Sequence, residues 1–287
     1  MHISFVILHY MTLEDTVECV ESIQNNVDYE DYSIVIVDNG SKNNTGKILE
    51  DKYSKEDNIK VILNNDNLGF AKGNNIGFQY SKYKLNPDFI VMINNDTVIE
   101  QNEFCRQIIN EYNNTKFDIA GPKIISLIDN KLQNPVPVKL KNKKDIQKKL
   151  MKFNILLVLN LVGIDSMVQS IKSKIKDVKN KENRGVEVEN LSDYQLHGSC
   201  MIFSKNYIKN YEGLYEKTFM YCEEDILKYI SQRDNLVMKY FSNIEIYHKE
   251  DSATNEILKK ELLKRRFYYK YSINSCKHLI ALMKEDE

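Results

Sequence analysis

Three polar segments carry the side chains of this 287-residue chain best suited to chemistry. Val35-Ile36-Val37 runs into Asp38-Asn39-Gly40-Ser41, and Phe89-Ile90-Val91-Met92-Ile93 runs into Asn94-Asn95-Asp96-Thr97. Between them lies Asn67-Leu68-Gly69-Phe70-Ala71-Lys72-Gly73-Asn74-Asn75-Ile76-Gly77. Further on come the acids Glu223-Glu224-Asp225 and the isolated His248. In this order the residue types suit a nucleotide diphosphate. Asp38 can face a base edge or a ribose hydroxyl, the small residues from Gly69 to Gly77 let backbone approach phosphate, and Asp96 can hold a divalent cation against the diphosphate. Each feature also has an ordinary explanation. A strand-terminal Asp closes turns or caps helices, acids at a helix start answer the macrodipole, and a lone His is commonly packed or solvated.

The elements that must position these groups are legible in the apolar periodicity. Residues 3–8 read as a first strand, Leu13, Val17, Val20 and Ile23 recur at helical spacing, and Ile34–Val37 and Ile59–Leu63 read as a second and third strand. The helix opened by the glycine loop should end near Leu85, and Asn86-Pro87-Asp88 turns the chain into a fourth strand. Such a βαβαβαβ start predicts a mostly parallel sheet with polar loops at its strand ends, where open α/β sheets bind ligands. Downstream, 196–203 reads as a strand, Phe219–Tyr221 leads into a helix bearing the three acids, 236–247 is strand-like, and a basic, aromatic helix runs from about Asn255. A dinucleotide fold of the glycine-fingerprint type is disfavoured, because residues 8–14 contain no glycine.

Five of these segments together resemble the family 2 glycosyltransferases with a GT-A fold, in particular the rhamnosyltransferase-like branch that builds bacterial surface polysaccharides. They are Val6-Ile7-Leu8-His9-Tyr10, Val37-Asp38-Asn39-Gly40-Ser41, the loop from Asn67 to Gly77, Asn94-Asn95-Asp96-Thr97, and Phe219 to Asp225 followed by His248 and Ser252. The resemblance implies an α/β fold of GT-A type, with a Rossmann-like nucleotide-binding half (1–122) built on a mostly parallel sheet. A lysine-rich helical insertion (135–190), an acceptor and catalytic-base half (191–254) and a C-terminal helix (255–287) would complete a single domain. It implies inverting transfer of a sugar from a dTDP- or UDP-linked donor to a saccharide or lipid-linked acceptor, assisted by Mn²⁺ or Mg²⁺. Carried over by position, Leu8, Tyr10, Asp38, Asn67, Gly69, Lys72, Asn75, Asn94 and Asn95 would border the nucleotide. Asp96 and His248 would hold the metal, and His197, Gly198 and Ser199 would border the acceptor. The family's acidic DxD maps onto Asn94-Asn95-Asp96, so only the last acid is present and affinity for the free ion should be low. Glu223-Glu224-x-x-Leu227 fits the base motif with Glu224 as base; Asp225 competes in a shifted register, and Glu223 completes the cluster. The missing first acid also leaves room for a non-catalytic relative that binds or scaffolds.

Composition bounds the rest. A 42% hydrophobic content can bury one large core, and a net charge of −1 gives no field that would favour nucleic acid. Five scattered cysteines without a CxxC pair suggest neither a disulfide framework nor a zinc site. Met1 leads straight into a strand and no apolar run reaches a membrane span's roughly 18 residues, so a cytoplasmic location is expected, peripheral at the inner face of the plasma membrane in one reading. Twelve lysines but only Asp145, Asp165 and Asp177 fall between Lys139 and Lys181, flanking the apolar stretch from Phe153 to Ile164. One reading is an interfacial segment whose Leu156, Leu157 and Leu159 enter an anionic membrane; the other packs that stretch on the core or a partner subunit.

Overall fold

The computed structural model describes residues 1–166, 194–250 and 261–285. Strands β1 (Ile3–His9), β2 (Tyr32–Asp38) and β4 (Phe89–Asn94) are buried almost end to end, as expected of continuous apolar runs in a sheet covered on both faces. With β3 (Ile59–Leu63) they form a parallel block in the order β3-β2-β1-β4, in register so that Leu8 lies opposite both Val37 and Asn94, and His9 opposite Asp38. The polar ends of β1, β2 and β4 are therefore flush.

Helices cover both faces. On one side α1 (Leu13–Asn26) buries Cys19, Val20 and Ile23 against Ile7, Ile36 and Ile93. α2 (Thr45–Lys52) adds Leu49 to the same core. On the other, α3 (Phe70–Tyr80) buries Ala71 and Phe78 against Val6, Val35 and Ile90, and runs on through a π-helical turn to Leu85. α3 can lie this close because two of its residues are glycines. A Cβ on Gly73 would stand 2.6 Å from Leu8 Cδ1, and one on Gly77 2.4 Å from Val6 Cγ1.

The sheet continues beyond β4. After the short β5 (Thr97–Val98) and α4 (Phe104–Thr115), β6 (Ile119–Ser126) joins; β7 (Val136–Pro137) pairs with β8 (Tyr194–Gln195) in a separate ribbon. β9 (Cys200–Ser204) runs antiparallel between β4 and β6 and leads into α6 (Lys205–Asn210). α7 (Glu223–Arg233) carries the three acids, and β10 (Met238–His248) lies parallel to β6. The full order is β3-β2-β1-β4-β9-β6-β10-β5, a mostly parallel α/β sheet of GT-A type. The end of β10 pairs antiparallel with β5, Tyr247 to Val98 and His248 to Thr97, so the sheet itself carries His248 to the residue after Asp96.

The strand expected over 196–203 begins only at Cys200. The backbone donors before it bond to side chains instead of a ladder: His197 N–H donates to Asn134 Oδ1 at 2.9 Å and Ser199 N–H to His197 Nδ1 at 3.2 Å. The lysine-rich segment forms α5 (Lys143–Leu161), capped by Asn142, whose side chain accepts from Asp145 N–H. α5 packs along α8 (Glu261–Glu285), joining Phe153 and Leu156 to Tyr269 and Ile273, while Cys276 and Leu279 of α8 meet Cys222 and Ile226 at the start of α7. Asp165, closed off from solvent, binds Arg265 Nε at 2.6 Å beyond the end of α5, and the guanidinium holds its carboxyl down to about 2. The remainder of the insertion, the expected start of α8 and Ser252 lie outside the described residues.

Candidate active site

Asp96 follows β4 with 7% of its surface exposed, and no hydrogen bond reaches its buried Oδ1. His248 Nε2 stands 3.2 Å from that oxygen, and His248 Nδ1 lies 2.8 Å from Gln133 Oε1. With the amide oxygen as the neighbour, Nδ1 carries a proton, and Nε2 faces Asp96 either protonated, as an ion pair, or as a lone pair open to a cation. Two lone pairs facing at that distance repel unless a proton or a cation lies between them. An oxygen and an imidazole nitrogen suit Mg²⁺ or Mn²⁺ as a partial ligand set. Among the described residues no group of three or more His, Cys, Asp or Glu side chains could hold a metal, so a cation here would take its other ligands from phosphate oxygens and water.

His197 is drawn into the same corner. Its ring lies 5.7 Å from that of His248, and its Nδ1 is 3.0 Å from Ser199 Oγ. Burial, with the neighbouring His248 acting in the same direction, pushes the His197 imidazole down to about 4. It is neutral at pH 7.

Gly198 links this corner to the acids. A Cβ there would fall 2.4 Å from Glu224 Oε1, so the Glu224 carboxyl rests on the bare backbone of Gly198 and accepts its N–H. Burial raises the affinity of Glu224 for its proton, and that contact opposes the shift. Its two neighbours are engaged elsewhere. Asp225 pairs with Lys149 Nζ of α5 at 3.3 Å, and Glu223 accepts from Thr218 Oγ1 at 3.1 Å. Burial first and the adjacent Glu224 second lift the Glu223 carboxyl to about 8. The segment feeding α7 is twisted, with Tyr221 at φ 72° and Cys222 at φ 68°, a left-handed pair that only surrounding contacts can hold. One contact is Ser275 Oγ of α8, which donates to Met220 O at 3.0 Å.

The expected nucleotide residues line the flush strand ends, but several side chains are taken up by the fold. Asp38 accepts Ser41 N–H at 3.2 Å and sits under the first turn of α2, where a Cβ on Gly46 would meet its carboxylate at 2.2 Å. Asn95 donates to Thr12 Oγ1 at 2.8 Å and Thr16 Oγ1 at 3.0 Å. Thr16 in turn contacts His9 Nδ1 at 2.7 Å, so a buried polar chain joins β1, α1 and the end of β4. Burial drives His9 down to about 4, against the pull of Asp38. Asn75 forms a two-point contact with Leu214, donating to its carbonyl and accepting its N–H, each at 2.7 Å.

The glycine loop likewise answers to packing. Gly69, at φ 85°, lies against Phe219, whose carbonyl accepts Phe70 N–H at 2.7 Å; a Cβ on Gly69 would stand 2.2 Å from that oxygen. Asn67 Oδ1 accepts from Gly69 N–H and from Asn39 Nδ2, bracing the turn. Lys72 is exposed on the first turn of α3, Tyr10 is half-buried past the end of β1, and Leu8 and Asn94 face one another across the strands.

Structure therefore brings Asp96, His248, His197, Ser199, Gly198 and Glu224 together and turns Asp225, Asn95 and Asn75 to other partners. Sequence reasoning missed Gln133, Asn134, Lys149 and Thr218. None belongs to a recognisable motif; the paired β6 and β10 and the docked α5 bring the first three to the site, and Thr218 lies five residues before Glu223.

Comparison with known proteins bears on the family and the fold. The family model described as glycosyl transferase family 2 matches residues 4–167. The low-salt glycan biosynthesis hexosyltransferase Agl10 of Haloferax volcanii is 24% identical over 248 residues, 86% of this chain and 67% of that protein. Glycosyltransferase GlyG of Streptococcus pneumoniae is 29% identical over 100 residues, 35% of this chain and 32% of its own length. The crystal structure of S. aureus TarS 1-349 in complex with UDP-GlcNAc superposes with a TM-score of 0.55 at 16% identity, covering 88% of this chain and 59% of that one. The chain thus spans somewhat more than half of that TarS fragment, and at this identity the likeness is one of fold.

Proposed function

This chain belongs to glycosyl transferase family 2, and from that footing we propose that it transfers a sugar from a nucleotide-diphosphate donor to a saccharide or lipid-linked saccharide, with inversion and with the help of Mn²⁺ or Mg²⁺. The observation that carries the proposal is the buried Asp96 Oδ1, which no hydrogen bond reaches, facing His248 Nε2 at 3.2 Å. A divalent ion held by these two groups would neutralise the departing diphosphate.

In this reading Glu224 is the base. Its carboxylate takes the proton from the acceptor hydroxyl as the oxygen attacks the anomeric carbon, and the single displacement inverts that centre. Resting on Gly198 N–H keeps the carboxylate aimed beside His197; Lys149 acts on it only at longer range, whereas Asp225 holds Lys149 Nζ at 3.3 Å. Neutral His197 and Ser199 border the acceptor. Leu8, Tyr10, Asp38, Asn67, Gly69, Lys72, Asn75, Asn94 and Asn95 border the nucleotide, several through backbone groups because their side chains are engaged. We assign donor binding to 1–122 and acceptor binding with the base to 191–254 of one domain.

The donor class is a UDP- or dTDP-linked hexose. TarS binds UDP-GlcNAc, which supports UDP as the carrier, and Agl10 is a hexosyltransferase, a class that also includes transfer of rhamnose, a 6-deoxyhexose. Association with an anionic membrane at the cytoplasmic face is part of the proposal, supported by the exposed side of α5; among the described residues no helix is long and apolar enough to cross a membrane. A panel of nucleotide sugars scored for nucleotide release with Mn²⁺, Mg²⁺ or EDTA tests the activity. Release that needs metal and falls at least about a hundredfold in Asp96→Ala, the scale of lost transition-state charge stabilisation, is expected. Nucleotide binding without release from any donor, or to any acceptor, would favour the scaffolding alternative.

A further inference from the structure

We propose that Gln133 is a positioning residue that holds His248 in its Nδ1–H tautomer and so keeps Nε2 free to face a cation at Asp96. The inference rests on the reading of Asp96 and His248 as cation ligands. Gln133 lies on the turn between β6 and β7, and its own N–H donates to Ile124 O at 2.9 Å, which ties it back onto β6. Because β10 pairs with β6, this turn stands directly over the end of β10, and Gln133 Oε1 reaches His248 Nδ1 at 2.8 Å.

The next residue fixes the turn. Asn134 is 1% exposed; its Nδ2 donates to Pro122 O at 2.6 Å, and its Oδ1 accepts His197 N–H at 2.9 Å. Backbone partners at both ends set that amide's orientation. Gly121 makes the room, since a Cβ there would stand 2.8 Å from Asn134 Nδ2. Gln133 therefore sits on an anchored backbone and not on a free loop tip.

A neutral imidazole offers only one lone pair, and the hydrogen bond at its other nitrogen decides which. An acceptor at Nδ1 assigns the lone pair to Nε2, the nitrogen that faces Asp96. Outer contacts of this kind typically change metal affinity by about 10- to 100-fold. Nothing in the local sequence marks Gln133; only the pairing of β10 with β6 gives it the role.

The test measures Mn²⁺ affinity from the electron paramagnetic resonance signal of the free ion, with saturating UDP or dTDP. Wild type, Gln133→Leu, Gln133→Glu and His248→Ala are compared, and ¹⁵N shifts of His248 are read in the metal-free wild type and in Gln133→Leu. Expected are a loss of at least about tenfold in His248→Ala and in Gln133→Leu, near-wild-type affinity in Gln133→Glu, which keeps an acceptor, and an Nδ1–H signature in wild type that Gln133→Leu loses. Wild-type affinity in Gln133→Leu alongside weakened His248→Ala overturns the role of Gln133 and leaves the metal reading standing. Unchanged affinity in His248→Ala overturns the metal reading and this inference with it. A His248 Nδ1 without a proton in the metal-free wild type overturns the inference even should Gln133→Leu fail to fold.

Discussion

Glu224 and Asp225 are chemically near-identical, and what separates them is the partner each has found. Lys149 Nζ pairs closely with Asp225, while Glu224 leans on Gly198 and meets that ammonium only at longer range. Glu224→Gln should therefore abolish transfer while donor affinity, measured by calorimetry, stays within about threefold, since a base deletion leaves ground-state binding largely intact. Asp225→Asn should retain most activity; a dead Asp225→Asn beside an active Glu224→Gln would move the base by one residue. Gly198→Ala is a second probe of the same contact. The clashing atom is the far end of a flexible side chain, so the fold should persist, by circular dichroism and melting, while kcat drops. Glu223 carries a different signature. Its carboxyl is raised from 4.5 to about 8, so the folded state holds a proton that the unfolded chain has released. Stability from this group is present below pH 4.5 and lost as pH rises towards 8. Glu224 contributes with the same sign. Denaturant midpoints across that range should fall with pH in the wild type, and Glu223→Gln should flatten part of the slope.

At the scale of elements, α5 decides how the lysine-rich insertion is used. One face is core: Phe153 and Leu156 are 5% exposed against Tyr269 and Ile273 of α8. The opposite face is apolar and open, with Met151, Ile155, Val158 and Val162 exposed by 54–66%. Lys144, Lys148 and Lys152 fall on or beside that stripe at helical spacing. The segment is amphipathic, but Leu156 lies on the protein side, so its loss would report on folding. Replacing Met151, Ile155 and Val158 by Ser should remove binding to vesicles containing anionic lipid and leave melting temperature within a few degrees, while binding by the intact chain should weaken with salt. Equal indifference of both proteins to such vesicles in co-sedimentation would assign the stripe to another partner.

At the scale of the whole molecule, the site is a seam between two parts of one sheet. Asp96 arrives on β4, His248 on β10, and the antiparallel pairing of β10 with β5 closes the gap between them. The His9, Thr16 and Asn95 chain braces the β4 side from beneath. A donor that binds through a shared cation should stabilise the fold only when that cation is present. At a nucleotide concentration about a hundred times its dissociation constant the gain is about 2.7 kcal/mol, which for a chain of this size corresponds to a rise of roughly 4–5 °C in melting temperature. UDP or dTDP with Mn²⁺ should produce it, and the same nucleotide with EDTA should not. Equal shifts with and without metal would detach nucleotide binding from Asp96.

The sequence by itself determined the parallel first half. Its strands are long apolar runs, its helices have clear 3.6-residue periodicity, and both are local patterns whose energetics lie in neighbouring residues. It likewise placed Asp38, the glycine loop, Asp96 and the acids at element ends. Only the tertiary structure decided what each of them does there. Gly73 and Gly77 serve helix-to-sheet packing, Asn75 and Asn95 are drawn into internal hydrogen bonds, and Asp225 rather than Glu224 takes the close ion pair with Lys149. The start of β9 at Cys200, the burial of Leu156 and the reach of Gln133 to His248 depend in the same way on partners dozens to more than a hundred residues away. A hydrogen bond or an ion pair is fixed by distance in space, and separation along the chain carries almost no information about it until the strands have paired.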